Sequence, residues 1–255
     1  MWVIVSILSF IFPSFRSAVE GEPILTAIAF LSAAFFVIIF RLPVATKIVF
    51  RIPTTNLKIE ICFGDFFGES GHKVIPVNEY FDSQLGDQVA PNSIHGQYIQ
   101  QNFDSDATRF EIQVDLALQG ENSKITARPG PRNKSHPIGT TAVVGTGPHK
   151  AFLFALTKTD MKTSKASADV PMMLDALDGL WNAIRNHSNG LTVNIPLVGG
   201  GQSQVGIDPN HLFRLILISF LIETRRSEVT RTVRIVLHNS VFDQIDLQAI
   251  KTDWK

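Results

Sequence analysis

LTVNIPLVGGGQSQVGIDPNHLFRLILISFLIE, Leu191–Glu223, joins an apolar run to a long apolar segment through three consecutive glycines and a short polar loop. The first part, LTVNIPLV, has the length and composition of a buried strand. The last part, continued as PNHLFRLILISFLIETRR, opens with Pro209 and closes with Arg225 and Arg226. Proline suits a first helical turn, and cations suit a last one. Arg214 and Glu223 bracket only about eight apolar residues, too few to cross a bilayer, so the segment reads as a helix buried against a sheet. Strand, glycine turn and helix form the repeating unit of an α/β fold. The turn's backbone amides and the helix N-terminus together make an anion nest.

The same alternation extends in both directions. NLKIEICFG and HKVIPVNE are expected strands and NSIHGQYIQQNF an expected helix, while ATRFEIQVDLALQG fits either a helix or a strand, with helix favoured. TARPGPRNKSHPIGT, rich in Pro, Gly and basic residues, is expected to be loop. TTAVVG and AFLFALTK read as strands joined by a hairpin turn at TGPHK. ADVPMMLDALDGLWNAIRNHSNG carries an apolar stripe, Met172, Met173, Ala176, Leu177, Leu180, Trp181 and Ile184, with Gly190 placed as a C-terminal cap. RTVRIVLHN is a final strand and SVFDQIDLQAIK a terminal helix. The expected fold class is therefore a three-layer α/β/α domain over residues 54–255, preceded by a linker at 42–53.

The 255 residues carry 23 Lys+Arg and 23 Asp+Glu. A net charge of zero argues against a general nucleic-acid binder. The single cysteine, Cys62, sits in the apolar KIEICF run and reads as a small buried hydrophobe. No H-E-x-x-H or cysteine cluster marks a metal site, so no metal and no cofactor are expected.

Residues 1–41 differ from the rest. PILTAIAFLSAAFFVIIF, Pro23–Phe40, has no charge and, at roughly 27 Å as a helix, approaches the thickness of a bilayer core. MWVIVSILSFIFPSF, Met1–Phe15, is also uncharged, and RSAVEGEP lies between the two runs. These residues read as a transmembrane helical hairpin with spans at about 2–15 and 23–40. A cleaved signal peptide ending near FRSA is a competing reading, and the lack of Lys or Arg before the first apolar run argues against it. A buried core helix over 23–40 is a third. Arg41, Lys47, Arg51 and Lys58 follow the second run, so the positive-inside rule places residues 41–255 in the cytoplasm.

Ligands in α/β folds sit beyond the carboxyl ends of the strands. Three strand ends carry candidate residues: Gly64, Asp65 and Phe66 in CFGDFF; Asn78, Glu79 and Gly86 in VNEYFDSQLGDQ; and Val198, Gly199, Gly200, Gly201, Gln202, Ser203, Gln204, Val205 and Gly206 in the opening stretch. A carboxylate such as Asp65 accepts hydrogen bonds from an exocyclic amine. There is no G-x-x-x-x-G-K-[ST] phosphate loop, no G-x-G-x-x-G after a first strand and no G-x-S-x-G nucleophile elbow.

In their order, GDFF, VIPVNE with its glycine-containing loop, GTTAVV followed by AFLFALTK, a long helix, and NIPLVGGGQSQVG resemble a macro domain over about Thr54–Asp246. The resemblance implies a mixed sheet and an ADP-ribose-type ligand. It places Asp65 on the adenine amine, Val198–Gly206 around the diphosphate, and Asn78 through Gly86 near the distal ribose. NEYFDSQLGDQ lacks the second Asn and the glycine run of hydrolytic macro domains, which favours binding without turnover. The alternative is a membrane-anchored ADP-ribosyl or ADP-ribose hydrolase, with Asn78, Glu79 or Asp82 positioning water. With two apolar segments in front, the chain resembles the membrane effectors of type II Thoeris anti-phage defence. That resemblance implies a histidine-ADP-ribose type of signal made by a TIR-domain partner, self-association into a homo-oligomer, and disruption of the bacterial inner membrane.

Overall fold

Alternation in KIEICF decides how the sheet is covered. Ile59 and Ile61 enter one core cluster, whereas Cys62 enters a second on the opposite face. A computed structural model of the chain describes residues 24, 27, 28, 31, 32, 35, 46–52, 57–128, 131–145, 147–160, 165–201 and 205–253. In chain order the first elements are β1 (Lys47–Arg51), β2 (Lys58–Phe63), β3 (His72–Asn78), α1 (Ile94–Phe103) and α2 (Ala107–Ala117). A short hairpin of β4 (Lys124–Ile125) and β5 (Lys134–Ser135) follows, then β6 (Thr141–Val144), β7 (Ala151–Thr159) and β8 (Ala166–Ser167). The chain continues through α3 (Val170–His187), β9 (Val193–Pro196), α4 (Pro209–Arg226), β10 (Thr232–Leu237) and α5 (Leu247–Asp253).

The main sheet runs β1-β2-β10-β9-β3-β7-β6, with β8 added to β7. The five strands from β2 to β7 in that order are parallel to their neighbours, and β1, β6 and β8 pair antiparallel. All five carboxyl ends therefore lie along one edge of a mixed sheet. Helices α3 and α4 bury Met173, Leu177, Trp181, Phe213 and Phe220 against one face. Trp181 packs on Phe220 with ring centroids 5.1 Å apart, and its Nε1 donates to Ser219 Oγ at 2.8 Å. On the other face, α1 and α2 bury Tyr98, Ile99, Phe103, Phe110 and Val114. Sheet and two helical layers give the α/β/α arrangement expected from the sequence.

Three local expectations change. Lys47–Arg51, assigned to the 42–53 linker, is the edge strand β1, paired with β2 from Lys47↔Cys62 to Arg51↔Lys58. Pairing with β2, and burial of Ile48, make this short segment a strand. The segment expected to be all loop contains β5, which closes the hairpin with β4. The expected terminal helix splits into a 3-10 turn at Asn239–Gln244 and α5, separated by Ile245, which is extended and buried.

Residues 1–45 form a separate unit from residues 46–255. Within it, Ile24, Ala27, Ile28, Leu31, Ser32 and Phe35 are helical and exposed, spaced to share one helix face. No helix among the described residues is long and apolar enough to cross a membrane. The expected span at 2–15, and the remainder of that at 23–40, lie outside the described residues.

Candidate functional site

The strand order creates a cleft. From β3 the chain crosses through α1 and α2 to β7 on one side, and from β9 it crosses through α4 to β10 on the other. Neighbouring strands β3 and β9 thus send their connections to opposite faces, and a crevice opens between their carboxyl ends. A cavity of about 660 Å³ lies there, within the range of small-ligand sites. Its wall takes Pro76–Asn78 from β3, Pro196 from the end of β9, Leu197–Gly199 and Gly201 from the turn that follows, and Thr157 from β7. Gly86–Ala90 and the opening of α1, Asn92–His95, complete it with Lys165 and Ala166. At β3 the pairing with β7 shifts register between Val77 and Asn78, a bulge that re-aims the strand end.

Of the glycine stretch, Val198, Gly199 and Gly201 line the cleft. Gly199 has φ +88°, and a Cβ there would sit 2.9 Å from Val205 Cγ2 and 3.0 Å from Leu212 Cδ2. The missing side chain at Gly199 therefore makes room for the protein's own core. A Cβ at Gly200 would make ordinary contact with Leu212 at 3.5 Å, and one at Gly201 would meet nothing within 4 Å. Gly201 and Gly86, both in the cleft lining, are thus positions where a side chain would meet no protein atom. Val205 N donates to Gly199 O at 3.2 Å and closes the loop; Gly206, with φ +80°, is exposed beyond it. Gln202, Ser203 and Gln204 lie outside the described residues.

The second candidate stretch is tied down from within. Asn78 Oδ1 accepts from Tyr80 N and Asp82 N at 3.3 and 3.2 Å, and its Nδ2 donates to Asp82 Oδ2 at 2.7 Å. Asp82, 1 % exposed, receives both Nη groups of Arg128 at 3.0–3.2 Å. Arg128 also stacks 4.0 Å from the Tyr80 ring centroid, and Arg132 Nε donates to Tyr80 O at 2.8 Å. Glu79 accepts from Thr159 N at 2.9 Å and from Thr159 Oγ1 at 3.1 Å. Burial, opposed by these hydrogen bonds, pushes its carboxyl pKa up. Asn78 and Gly86 line the cleft, whereas Glu79 and Asp82 are buried and do not line it.

The third stretch sits farther along the same sheet edge, at the ends of β2 and β10. Gly64 N donates to Leu237 O at 3.0 Å, and the exposed Asp65 accepts from Phe67 N at 3.0 Å through Oδ1. Phe66 is buried in the core on the α1–α2 side, with Lys73 Nζ 5.5 Å from its ring. These three residues do not line the cavity between β3 and β9. Beside them, Phe63 and Phe242 form an edge-to-face pair with centroids 4.9 Å apart.

The opening of α1 was not among the sequence candidates. Ser93 caps it, accepting from Gly96 N at 3.0 Å, and the helix then starts at the cleft wall. First-turn amides have no intrahelical acceptor, so a helix that begins here offers donors to an anion. A Cβ at Gly96 would collide with Ala90 O, so glycine allows the helix to sit tightly on the 86–90 turn. Among the described lining residues, Lys165 is the one lysine or arginine and Asp87 the one carboxylate. The lining therefore offers few charged side chains beside its backbone amides. A serine three residues before a glycine, just past a glycine-bearing loop, is the sequence signal that marked this helix start.

A mixed sheet between two helical layers, with a cleft at the strand carboxyl ends, is an arrangement this chain shares with macro domains. The fold matches the Oceanobacillus iheyensis macrodomain solved with ADP, at TM-score 0.52 and 11% identity, over 81% of this chain and 97% of that one. The same macrodomain solved with MES bound matches equally well, at TM-score 0.52 over 98% of its length. Within that class, residues 59–238 match the family described as Thoeris protein ThsA, Macro domain, and the chain belongs to that family. It is 28% identical over 212 residues to the Thoeris protein ThsA of Bacillus amyloliquefaciens (strain Y2), covering 78% of this chain and 69% of that protein.

Proposed function

We propose that the macro domain binds an ADP-ribose derivative and acts in anti-phage defence as a binding effector without turnover. The observation that carries this reading is the cleft between β3 and β9. Its wall combines the glycine turn after β9, including Gly199 and Gly201, with the capped start of α1. Family membership supports the defence role, and the neighbouring macrodomain structure with ADP supports a nucleotide diphosphate ligand. The signal is of the histidine-ADP-ribose type, supplied by a TIR-domain partner. Asp65 takes the adenine amine, with Phe63 and Phe242 nearby as an aromatic surface. The apolar segments at 2–15 and 23–40 sit in the bacterial inner membrane, with the macro domain on the cytoplasmic side, and ligand binding drives self-association and membrane disruption. A ligand drives such assembly only by binding the assembled state better than the resting one.

Turnover is disfavoured because Glu79 and Asp82 are occupied by Thr159 and by Arg128. Calorimetric titration of the full chain with ADP-ribose should show saturable binding, and no heat at high micromolar ligand sinks the proposal. Release of product from an ADP-ribosylated peptide would establish the hydrolase instead.

A further inference from the structure

Strand β7 outruns its neighbour at the cleft. Its Thr157 is the partner of Asn78, the last residue of β3, and Lys158 and Thr159 continue past that point. There β8 folds back on it, through Lys158↔Ser167 and Thr159↔Ala166, and Asp160 N donates to Lys165 O at 2.9 Å. At the base of this hairpin, Glu79 holds Thr159 by its N and Oγ1 at 2.9 and 3.1 Å. The hairpin therefore extends beyond the carboxyl edge of the sheet, and it brings Lys165 and Ala166 into the cleft lining. Lys165 is exposed, and it is the one lysine or arginine among the described lining residues. A lysine ammonium is a compact charge on a flexible stem, suited to meet an anion within its reach.

We propose that Lys165 is the specificity cation of the cleft and takes an anionic substituent, a carboxylate or a phosphate, carried on the ligand's distal ribose. The inference rests on the cleft being the ADP-ribose site, with adenine on the Asp65 side. On that reading the ligand runs along the sheet edge from the end of β2, past the glycine turn after β9, to the end of β3. The next strand along that edge is β7. Neighbouring strands lie about 4.8 Å apart, so β7 is about 10 Å from β9, across β3. That spacing puts Lys165 toward whatever the distal ribose carries, while backbone amides at the glycine turn and at the start of α1 serve the diphosphate. A histidine conjugate of ADP-ribose carries a carboxylate there, and a phosphorylated one carries a phosphate. Free ADP-ribose carries neither, so the lysine separates it from both.

The test titrates the full chain by calorimetry with three probes: ADP-ribose, its 1″-phosphate and histidine-ADP-ribose. The parent should bind at least one of the two substituted probes about tenfold more tightly than ADP-ribose, as a charge-assisted contact adds. A gain for the histidine conjugate alone assigns the carboxylate, and a gain for the 1″-phosphate alone assigns the phosphate. Lys165→Gln should bring all three probes to one affinity, and Lys165→Arg should keep the gain. The exposed side chain can be exchanged without touching the core, so Tm should stay at the parental value in both variants. A parent that binds ADP-ribose but prefers neither substituted probe overturns the assignment alone, as does a gain that survives in Lys165→Gln. A parent that binds none of the three overturns the reading of the cleft and this assignment with it.

Discussion

Gly199 and Gly201 are two residues apart and are glycine for different reasons. Gly199 combines a left-handed φ with Val205 and Leu212 packed where a Cβ would go. Gly199→Ala should cost roughly 1–3 kcal/mol, read as a fall in Tm, from backbone strain and overpacking. Gly201 lines the cleft and a Cβ there would meet no atom within 4 Å, so Gly201→Glu should keep the parental Tm and, if the cleft is the ADP-ribose site, abolish binding in calorimetry. The sequence displays both absences identically, because the neighbour that fills the space lies in α4 for one and is solvent for the other. Glu60 offers a separate residue-scale test. Burial works against its carboxylate, but hydrogen bonds from Lys58 and Arg234, with the charges of Arg234 and Lys47, outweigh that and lower its pKa from 4.5 to about 2. A depressed pKa stabilises the fold above pH 4.5 and loses that contribution as pH falls toward 2. Glu60→Gln should therefore flatten the fall of Tm between pH 4.5 and 2 relative to the parent.

At the scale of elements, the β4–β5 hairpin clamps the strand end that borders the cleft. Arg128 reaches back 46 residues to Asp82, and Arg132 joins Tyr80 O to Asp115 of α2. Between them Phe81 is fully buried with φ +54°, a conformation that a non-glycine residue holds only when its surroundings fix it. Arg128→Leu would leave the Asp82 carboxylate buried without its cation and should cost about 3–5 kcal/mol in denaturant unfolding. The double change Arg128→Leu with Asp82→Asn should recover part of that loss, because the uncompensated charge is gone. Helices and central strands were legible in the sequence because their apolar spacing matches their own period, as in Met173, Leu177, Leu180 and Ile184 of α3. Edge strand β1 and the β4–β5 hairpin were not, because short segments with mixed burial become strands only through their partners.

For the molecule as a whole, the site is a consequence of strand order. Residues that converge on the cleft span Pro76 to Gly201, and β3 and β9 become neighbours only when the connections through α2 and α4 leave on opposite faces. Deleting residues 1–40 should leave ADP-ribose affinity unchanged in calorimetry, since every cleft residue lies in the unit that begins at Thr46. The same deletion should abolish toxicity to cells if the N-terminal segments act on the membrane. By itself the sequence determined the alternation of strands and helices, the placement of Asn78, Gly86, Val198, Gly199 and Gly201 at strand ends, and the macro-domain order of motifs. Those follow from local periodicity and turn chemistry, which a chain carries along its length. Only the tertiary structure decided that Glu79 and Asp82 are occupied, that Gly199 serves the core, and that Lys165 joins the cleft wall. Whether a polar group is satisfied depends on partners that are distant in sequence, such as Thr159 for Glu79 and Arg128 for Asp82.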